Sequence, residues 1–169
     1  IITNAAGCGS TLKEYDHLFA ADEPEYAQAA AFEKKVRDVT EFLAALGLSV
    51  PLKSLPLRVT YQDSCHLLHG QKIREAPRQL LRTIPGLELV ELPYSEICCG
   101  SAGAYNVTET EASLELLSEK MLHAAYTHAQ VIATSNPGCL LQMRAGAQIY
   151  STNQKVAHVI ELLDQACAS

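Results

Sequence analysis

The feature that most limits the possible folds is an alternation of short strand-like runs and helical stretches over the second two-thirds of the chain. Leu57-Arg58-Val59-Thr60-Tyr61 alternates in character, with Leu57, Val59 and Tyr61 predicted to face inward. Helix signals follow from about Glu75 to Ile84 and stop at Pro85-Gly86. Leu87 to Leu92 and Val131 to Thr134 are further strand candidates, and a shorter one lies near Val156. Thr108 and Glu111 have the spacing of a capping box, which would open a helix with the stripe Leu114, Leu117, Met121, Ala124. Helices are also expected from about Cys139 to Ile149 and from Val159 to Ala166. Strands separated by helices of this length pair in parallel through right-handed crossovers. The expected fold class is therefore α/β, a three-layer parallel-sheet domain with helices on both faces. Strand order does not follow from this pattern.

The first 48 residues read differently. Ile1-Ile2-Thr3 has the character of a strand end, followed by a loop over Asn4–Gly9 and a short helix from about Ser10. A long helix is predicted next, with Pro24 tolerated in its first turn and the stripe Phe32, Val36, Val39, Leu43, Leu46 on one face. Gly47 stands where a C-terminal cap is expected, and Ser49 to Pro56, with two prolines, has the composition of a linker. Two short matches link this part to the end of the chain. Ile1–Cys8 aligns with Ile132–Cys139 at an offset of 131, and Val39–Leu43 with Val159–Leu163 at an offset of 120. The expectation is that residues 1–48 are the final third of one unit, 49–56 a linker and 57–169 a complete second unit. The chain is then a piece of a larger protein.

Charge and composition narrow the function. Thirteen Lys and Arg against nineteen Asp and Glu leave a net charge of −6. A nucleic-acid binder needs clustered positive charge to replace phosphate counterions, so nucleic acid is not an expected partner. No apolar run approaches the roughly 20 residues of a membrane span, and IITNAAGCGS has no signal-peptide pattern. Six cysteines stand out: Cys8, Cys65, Cys98, Cys99, Cys139 and Cys167. They are too few for a disulfide scaffold at this length, and in a cytoplasmic setting they read as metal ligands or redox groups.

Each predicted strand from 1–3 to 131–134 is followed by a loop carrying cysteine. In an open parallel sheet the strand C-termini share one edge, where ligands bind and where helix N-termini favour thiolates. Cys65, Cys98, Cys99 and Cys139 can thus converge on one site, with Gly100 and Gly103 allowing close approach of backbone to a bulky inorganic group. Four thiolates suit a cubane iron–sulfur cluster and equally suit structural zinc. A lone cysteine, by contrast, more often behaves as a small buried hydrophobe, which is the expectation for Cys167. A vicinal disulfide at Cys98-Cys99 and a nucleophilic role for Cys65 or Cys98 are further alternatives. His66 and His69 flank the Cys65 loop as possible ligands or hydrogen-bond donors to sulfur, and His158 is placed to cap the last helix. No Gly-rich phosphate motif and no CxxCxxC run is present.

Three stretches carry a resemblance to a known family. Tyr61-Gln62-Asp63-Ser64-Cys65-His66-Leu67-Leu68-His69-Gly70-Gln71, Ile97-Cys98-Cys99-Gly100-Ser101-Ala102-Gly103 and Asn136-Pro137-Gly138-Cys139 resemble the cysteine-rich CCG domain. That domain occurs in heterodisulfide reductase and in iron–sulfur subunits of flavin-linked dehydrogenases, those of glycolate oxidases being most similar. Asn4-Ala5-Ala6-Gly7-Cys8-Gly9-Ser10 resembles the end of the family's first repeat, which makes Cys8 the remnant of a second, incomplete site.

The resemblance implies an electron-transfer subunit that carries electrons from a glycolate-oxidising flavoprotein toward an acceptor. The quinone pool is one such acceptor, with the complex peripheral at the inner face of the cell membrane. It implies an iron–sulfur cluster, 4Fe-4S or noncubane, on Cys65, Cys98, Cys99 and Cys139, with His66 as a further candidate ligand. In the family's fullest form each repeat ends in Cys-x-x-Cys and five cysteines bind a noncubane cluster. Here Gln142 and Thr11 occupy the last position. Gln cannot supply a thiolate, so a simpler cluster, zinc or an empty structural site remain open. A non-redox scaffold that docks the flavoprotein is the alternative function. An unpaired sheet edge in residues 1–48 would also be a template for dimerisation.

Overall fold

A computed structural model describes residues 1–167. In chain order its elements are β1 (Ile2–Thr3), α1 (Ala6–Leu12), a 3-10 turn (Tyr15–Leu18), α2 (Tyr26–Glu33), β2 (Arg37–Asp38) and α3 (Val39–Leu46). There follow β3 (Arg58–Tyr61), a π-helical turn (His66–Gly70), α4 (Glu75–Thr83), β4 (Glu88–Glu91), α5 (Tyr105–Thr108) and α6 (Thr110–Tyr126). The chain closes with β5 (Val131–Thr134), α7 (Pro137–Ile149), β6 (Lys155–His158) and α8 (Val159–Ala166). No helix among the described residues is long and apolar enough to cross a membrane.

The main sheet has the order β4-β3-β5-β6, and every neighbouring pair is parallel. Side chains alternate across it with a period of two, which decides what each face packs against. Val59, Tyr61, Val131 and Ala133 enter one core with Leu80 and Leu81 of α4 and with Val159, Leu162 and Leu163 of α8. Ile132 and Val156 enter the opposite core with Leu117, Met121 and Ala124 of α6 and Met143 of α7. The expected three-layer α/β arrangement is therefore observed, and Cys99 and Cys139 sit within the α6–α7 layer.

Residues 34–46 depart from expectation. The stripe Phe32, Val36, Val39, Leu43, Leu46 does not lie on one helix. The chain leaves α2 after Glu33, forms β2 against β1, and enters α3 behind Asp38. Asp38 is the reason: its Oδ1 accepts from the Thr40 amide at 2.8 Å, and Glu41 closes the capping box on the Asp38 amide at 3.4 Å. A strong N-cap at this point satisfies the amides of a new helix, and the parallel ladder from Ile2↔Arg37 to Thr3↔Asp38 takes the preceding groups. Apolar spacing alone does not distinguish this from an unbroken helix. The expected capping box at Thr108 and Glu111 does not form either. Thr108 ends α5, and α6 begins behind Glu109, whose side chain caps nothing. The short helix expected near Ser10 starts at Ala6, so Cys8 lies in its first turn.

Gly47 caps α3 at a φ of 76° as expected. The segment 49–56 has no regular element, yet it is packed. Leu52 forms a bridge to Cys167, the Lys53 amide donates to the Ala166 carbonyl at 2.7 Å, and Leu52 and Leu55 lie against the α4–α8 core.

Asp38 is fully buried, and its Oδ2 has no partner. Desolvation raises its pKa, opposed by the hydrogen bonds from Thr40 and by the charge of Lys13. A folded pKa above the unfolded one makes the ionised carboxylate a cost to the fold. That cost is absent below the unfolded pKa and complete once pH exceeds the folded one. Asp38→Asn keeps the capping acceptor and should raise the melting temperature at neutral pH by about 2–4 °C per kcal/mol recovered. The gain should vanish near about pH 3, where the wild-type carboxyl is already neutral. Calorimetry at both pH values checks this, and an equal shift at both would refute it.

Candidate functional site

Because the main sheet is parallel throughout, the C-terminal ends of β3, β4 and β5 share one edge. β3 is flanked by β4 on one side and β5 on the other, so the Cys65 loop lies between the Cys98-Cys99 loop and the Cys139 loop.

The first loop leaves β3 through three buried polar residues, Gln62, Asp63 and Ser64. Asp63 accepts from the two terminal guanidinium nitrogens of Arg78, at 2.8 and 2.7 Å, and from the hydroxyl of Ser95 at 2.7 Å. Arg78 is itself buried, stacks over the Tyr61 ring at 5.0 Å and reaches Glu91 at 3.1 Å. Gln62 donates to the Ile97 carbonyl at 3.2 Å. Asp63 and Gln62 thus hold the stretch before Cys98 directly against the stretch before Cys65. Ser64 meets Thr134 at 3.1 Å and ties the same loop to β5. Cys65 then opens the turn His66–Gly70, with the His66 Nδ1 3.4 Å from its sulfur.

In the second loop the Gly100 amide donates to Cys98 Sγ at 3.3 Å. Gly100 has a φ of +90°, and a Cβ there would stand 2.4 Å from the Ser113 carbonyl oxygen, so glycine is required. The Ser113 hydroxyl in turn donates to the Gly100 carbonyl at 2.9 Å.

In the third loop Pro137 occupies the first turn of α7. The Asn136 side chain caps nothing there. Its Nδ2 donates to Cys139 Sγ at 3.5 Å, and its Oδ1 accepts from the Gly7 amide at 3.3 Å.

The structure therefore brings Cys65, Cys98, Cys99 and Cys139 together. They form a row in which Cys65 meets Cys98, Cys98 meets Cys99 and Cys99 meets Cys139. Hydrogen bonds along the row shift the thiols in alternate directions. Those from Cys65 and Cys99, with the Gly100 and Ala102 amides, lower Cys98. Cys139 is lowered by Cys99, with support from Asn136 and Ser64. Cys65 is raised by its hydrogen bond to Cys98 and by burial, and Cys99 by its bonds to Cys139 and Cys98 and by burial. Among the described residues no three His, Cys, Asp or Glu side chains close around one ion-sized position. Cys99 and Cys139 are buried, whereas Cys65 and Cys98 are part-exposed.

Other candidates fall outside the row. Cys8 is exposed in the first turn of α1, as Cys139 is placed in the first turn of α7. Cys167 ends α8 and pairs with Leu52. His69 is exposed. His158 caps α8, accepting from the Ile160 amide at 3.2 Å on Nδ1, while its Nε2 donates to the Asn4 carbonyl at 3.0 Å. Gln142, in the position of the family's last cysteine, donates to Ser113 at 3.0 Å and accepts from Asn106 at 3.2 Å. Its amide joins α6 to α7 and leaves no thiolate there.

Residues 59–144 match the family model of the CCG cysteine-rich domain, which covers the whole four-cysteine edge. The chain belongs to the CCG family. Among curated relatives, it is 45% identical over 98% of its length to a probable glycolate oxidase iron-sulfur subunit of Bacillus subtilis, and covers 38% of that protein. It is 32% identical over 97% of its length to lactate utilization protein A of Oceanobacillus iheyensis, covering 68% of it. It is 36% identical over 98% of its length to a subunit of the fumarate reductase (CoM/CoB) of Methanothermobacter marburgensis, covering 32% of it.

Sequence reasoning missed Asp63, Arg78 and Ser95 as the polar frame of the site. Arg78 lies in an amphipathic helix where an arginine ordinarily faces water, and only its partner at Asp63 marks it as buried. Removing one member of a buried pair leaves the other charge uncompensated and costs about 3–5 kcal/mol. Asp63→Asn should lower unfolding stability by about that amount in urea titration, with Glu91 retaining part of the guanidinium's charge. A loss below about 1 kcal/mol would mean that the pair behaves as an exposed one.

Proposed function

We propose that this chain is part of an iron–sulfur electron-transfer subunit serving a flavin-linked 2-hydroxy-acid dehydrogenase, with Cys65, Cys98, Cys99 and Cys139 as ligands of one cluster. The observation that carries this is the convergence of four thiols from three separate loops on one edge of a parallel sheet. The names of the iron-sulfur subunit and lactate utilization relatives support the redox role and the choice of 2-hydroxy-acid oxidation. Four thiols suit a cubane cluster and equally suit structural zinc, and the iron-sulfur name of a relative favours the cluster. With Gln142 engaged by Ser113 and Asn106, four thiolates are available, which favours a cubane over the five-cysteine noncubane form.

When bound, the cluster supplies one-electron storage. The chain's own residues supply the rest. Gly100 and Asn136 donate hydrogen bonds to the sulfurs of Cys98 and Cys139, and the Nδ1 of His66 lies beside that of Cys65. Such contacts stabilise negative charge and set the potential. Cys65 and Cys98, being part-exposed, mark the side from which electrons enter or leave.

The repeat reading belongs to the same proposal. Thr3↔Asp38 with the Asp38/Glu41 capping box repeats Thr134↔His158 with the His158/Glu161 box. Residues 1–48 are then the closing part of a first unit and 57–169 a second unit.

Anaerobically prepared protein should contain iron and acid-labile sulfide. Cys65→Ser and Cys139→Ser should each abolish most of that iron, while Cys8→Ser and Cys167→Ser should retain it. Zinc in place of iron, or iron unaffected by Cys139→Ser, would refute the assignment.

A further inference from the structure

The backbone just ahead of Cys8 is held by three side chains from remote parts of the chain. His158, at the end of β6, donates from Nε2 to the Asn4 carbonyl at 3.0 Å. Gln71, after the Cys65 turn, donates from Nε2 to the Ala6 carbonyl at 2.9 Å. Asn136, after β5, accepts from the Gly7 amide on Oδ1 at 3.3 Å. All three stand at the C-terminal edge of the main sheet, so residues 4–7 are fixed against the loops that carry Cys65 and Cys139.

Packing makes the same approach close. A Cβ at Gly9 would stand 2.6 Å from Gln71 Nε2 and 2.9 Å from Thr3 Cγ2. One at Gly70 would stand 2.5 Å from Ser10 Oγ. Two glycines thus let α1 and the Cys65 turn meet almost backbone to backbone, and Ala6 beside them is fully buried.

Asn136 stands between this segment and a site cysteine. Gly7 lies in the first turn of α1, where a backbone N–H has no partner within the helix. The only hydrogen bond described for that amide goes to Asn136. A backbone N–H can only donate, so it turns the Asn136 oxygen toward itself and leaves Nδ2 for Cys139 Sγ, at 3.5 Å. The opposite rotamer would present oxygen to the sulfur. The link is one-sided, because Ala5 occupies the matching position ahead of α1 and has no side chain to return it.

We propose that Asn4–Ser10 is a working part of the four-cysteine site, with Asn136 as the positioning residue through which docking of that segment sets the hydrogen bond to Cys139. This rests on the reading of Cys139 as a cluster ligand. A donor aimed at a ligand sulfur favours the more negative, reduced state, so its loss lowers the reduction potential.

The test uses the full chain. Gly9→Val drives α1 off the Cys65 turn, and Gln71→Leu removes one of the three holds at similar volume. Both positions lie outside the four-cysteine row. Asn136→Ala removes both bonds, whereas Asn136→Asp keeps the acceptor for Gly7 and loses the donor to sulfur. In the metal-free chain, hydrogen exchange at the Gly7 amide, followed by nuclear magnetic resonance, should be slow in wild type and in Asn136→Asp. It should be several-fold faster in Asn136→Ala and in Gly9→Val. An unprotected Gly7 amide in wild type, or one still protected in Gly9→Val, overturns the proposal.

In anaerobically loaded protein, redox titration should give a lower midpoint potential in both Asn136→Ala and Gly9→Val. The double variant should go no lower than Asn136→Ala alone, because the two changes act through one bond. An unchanged potential in Gly9→Val, or shifts that add in the double variant, overturns the coupling. Gln71→Leu takes the place of Gly9→Val in the same cycle if the valine prevents folding. Absence of iron from the wild-type chain would instead defeat the cluster reading. The cycle is then read on Cys139 alkylation by iodoacetamide in the metal-free chain, where rate effects that multiply in the double variant overturn the coupling and a shared effect supports it.

Discussion

The cysteine edge hangs on one buried ion pair, Asp63 with Arg78. Desolvating the two ions costs several kcal/mol each, and their attraction offsets this only with good geometry and full hydrogen bonding. Both conditions are met. The guanidinium meets the carboxylate through two parallel bonds, Ser95 supplies a further donor to Asp63, and Glu91 with the Arg74 carbonyl takes other guanidinium hydrogens. The pair is therefore better described as a fixed brace than as a source of net stability. It joins the root of the Cys65 loop, the approach to Cys98 and helix α4. Without it, the loops carrying three of the four thiols lose their common anchor.

From that brace outward, the other polar contacts at the edge follow a single logic. Ser64 with Thr134 fastens the first loop to the strand that leads to Cys139. Gln62 reaches Ile97, and Ser113 reaches Gly100. Asn136 links Cys139 to the Gly7 amide, so the N-terminal segment contributes to the same edge. Each of these side chains is short and held by a partner, which limits how far the thiols can move relative to one another. A site that must hold several ligands in one geometry is served by such rigidity, because supporting contacts keep its first-line groups preorganised.

How much of this was legible depends on whether the signal is local. The strand at 131–134 and the helix at 159–166 follow from period and composition within a few residues, and the structure reproduces both bounds. The four site cysteines were legible for a second reason. Each follows a strand, and parallel pairing sends all strand ends to one edge whatever their order. The stripe from Phe32 to Leu46 shows where local reasoning fails. Its spacing is helical, but spacing counts apolar residues and says nothing about Asp38, whose cap and whose ladder with β1 break the run. Thr108 and Glu111 failed for a similar reason, since α5 consumed the residue expected to cap α6.

Two properties could be read from the order of residues without any coordinates: the α/β class and the positions of the cysteines at strand ends. They rest on neighbouring residues and on a fixed backbone period. Long-range packing alone established that β3 lies between β4 and β5, which puts the Cys65 loop between its partners. Packing also paired Asp63 with Arg78 and bonded Lys120 to the Tyr94 carbonyl. Such contacts join residues remote along the chain, and a charged side chain in a helix looks the same in sequence whether it meets water or a buried partner. Burial, not spacing, turns those residues from surface charges into parts of the site.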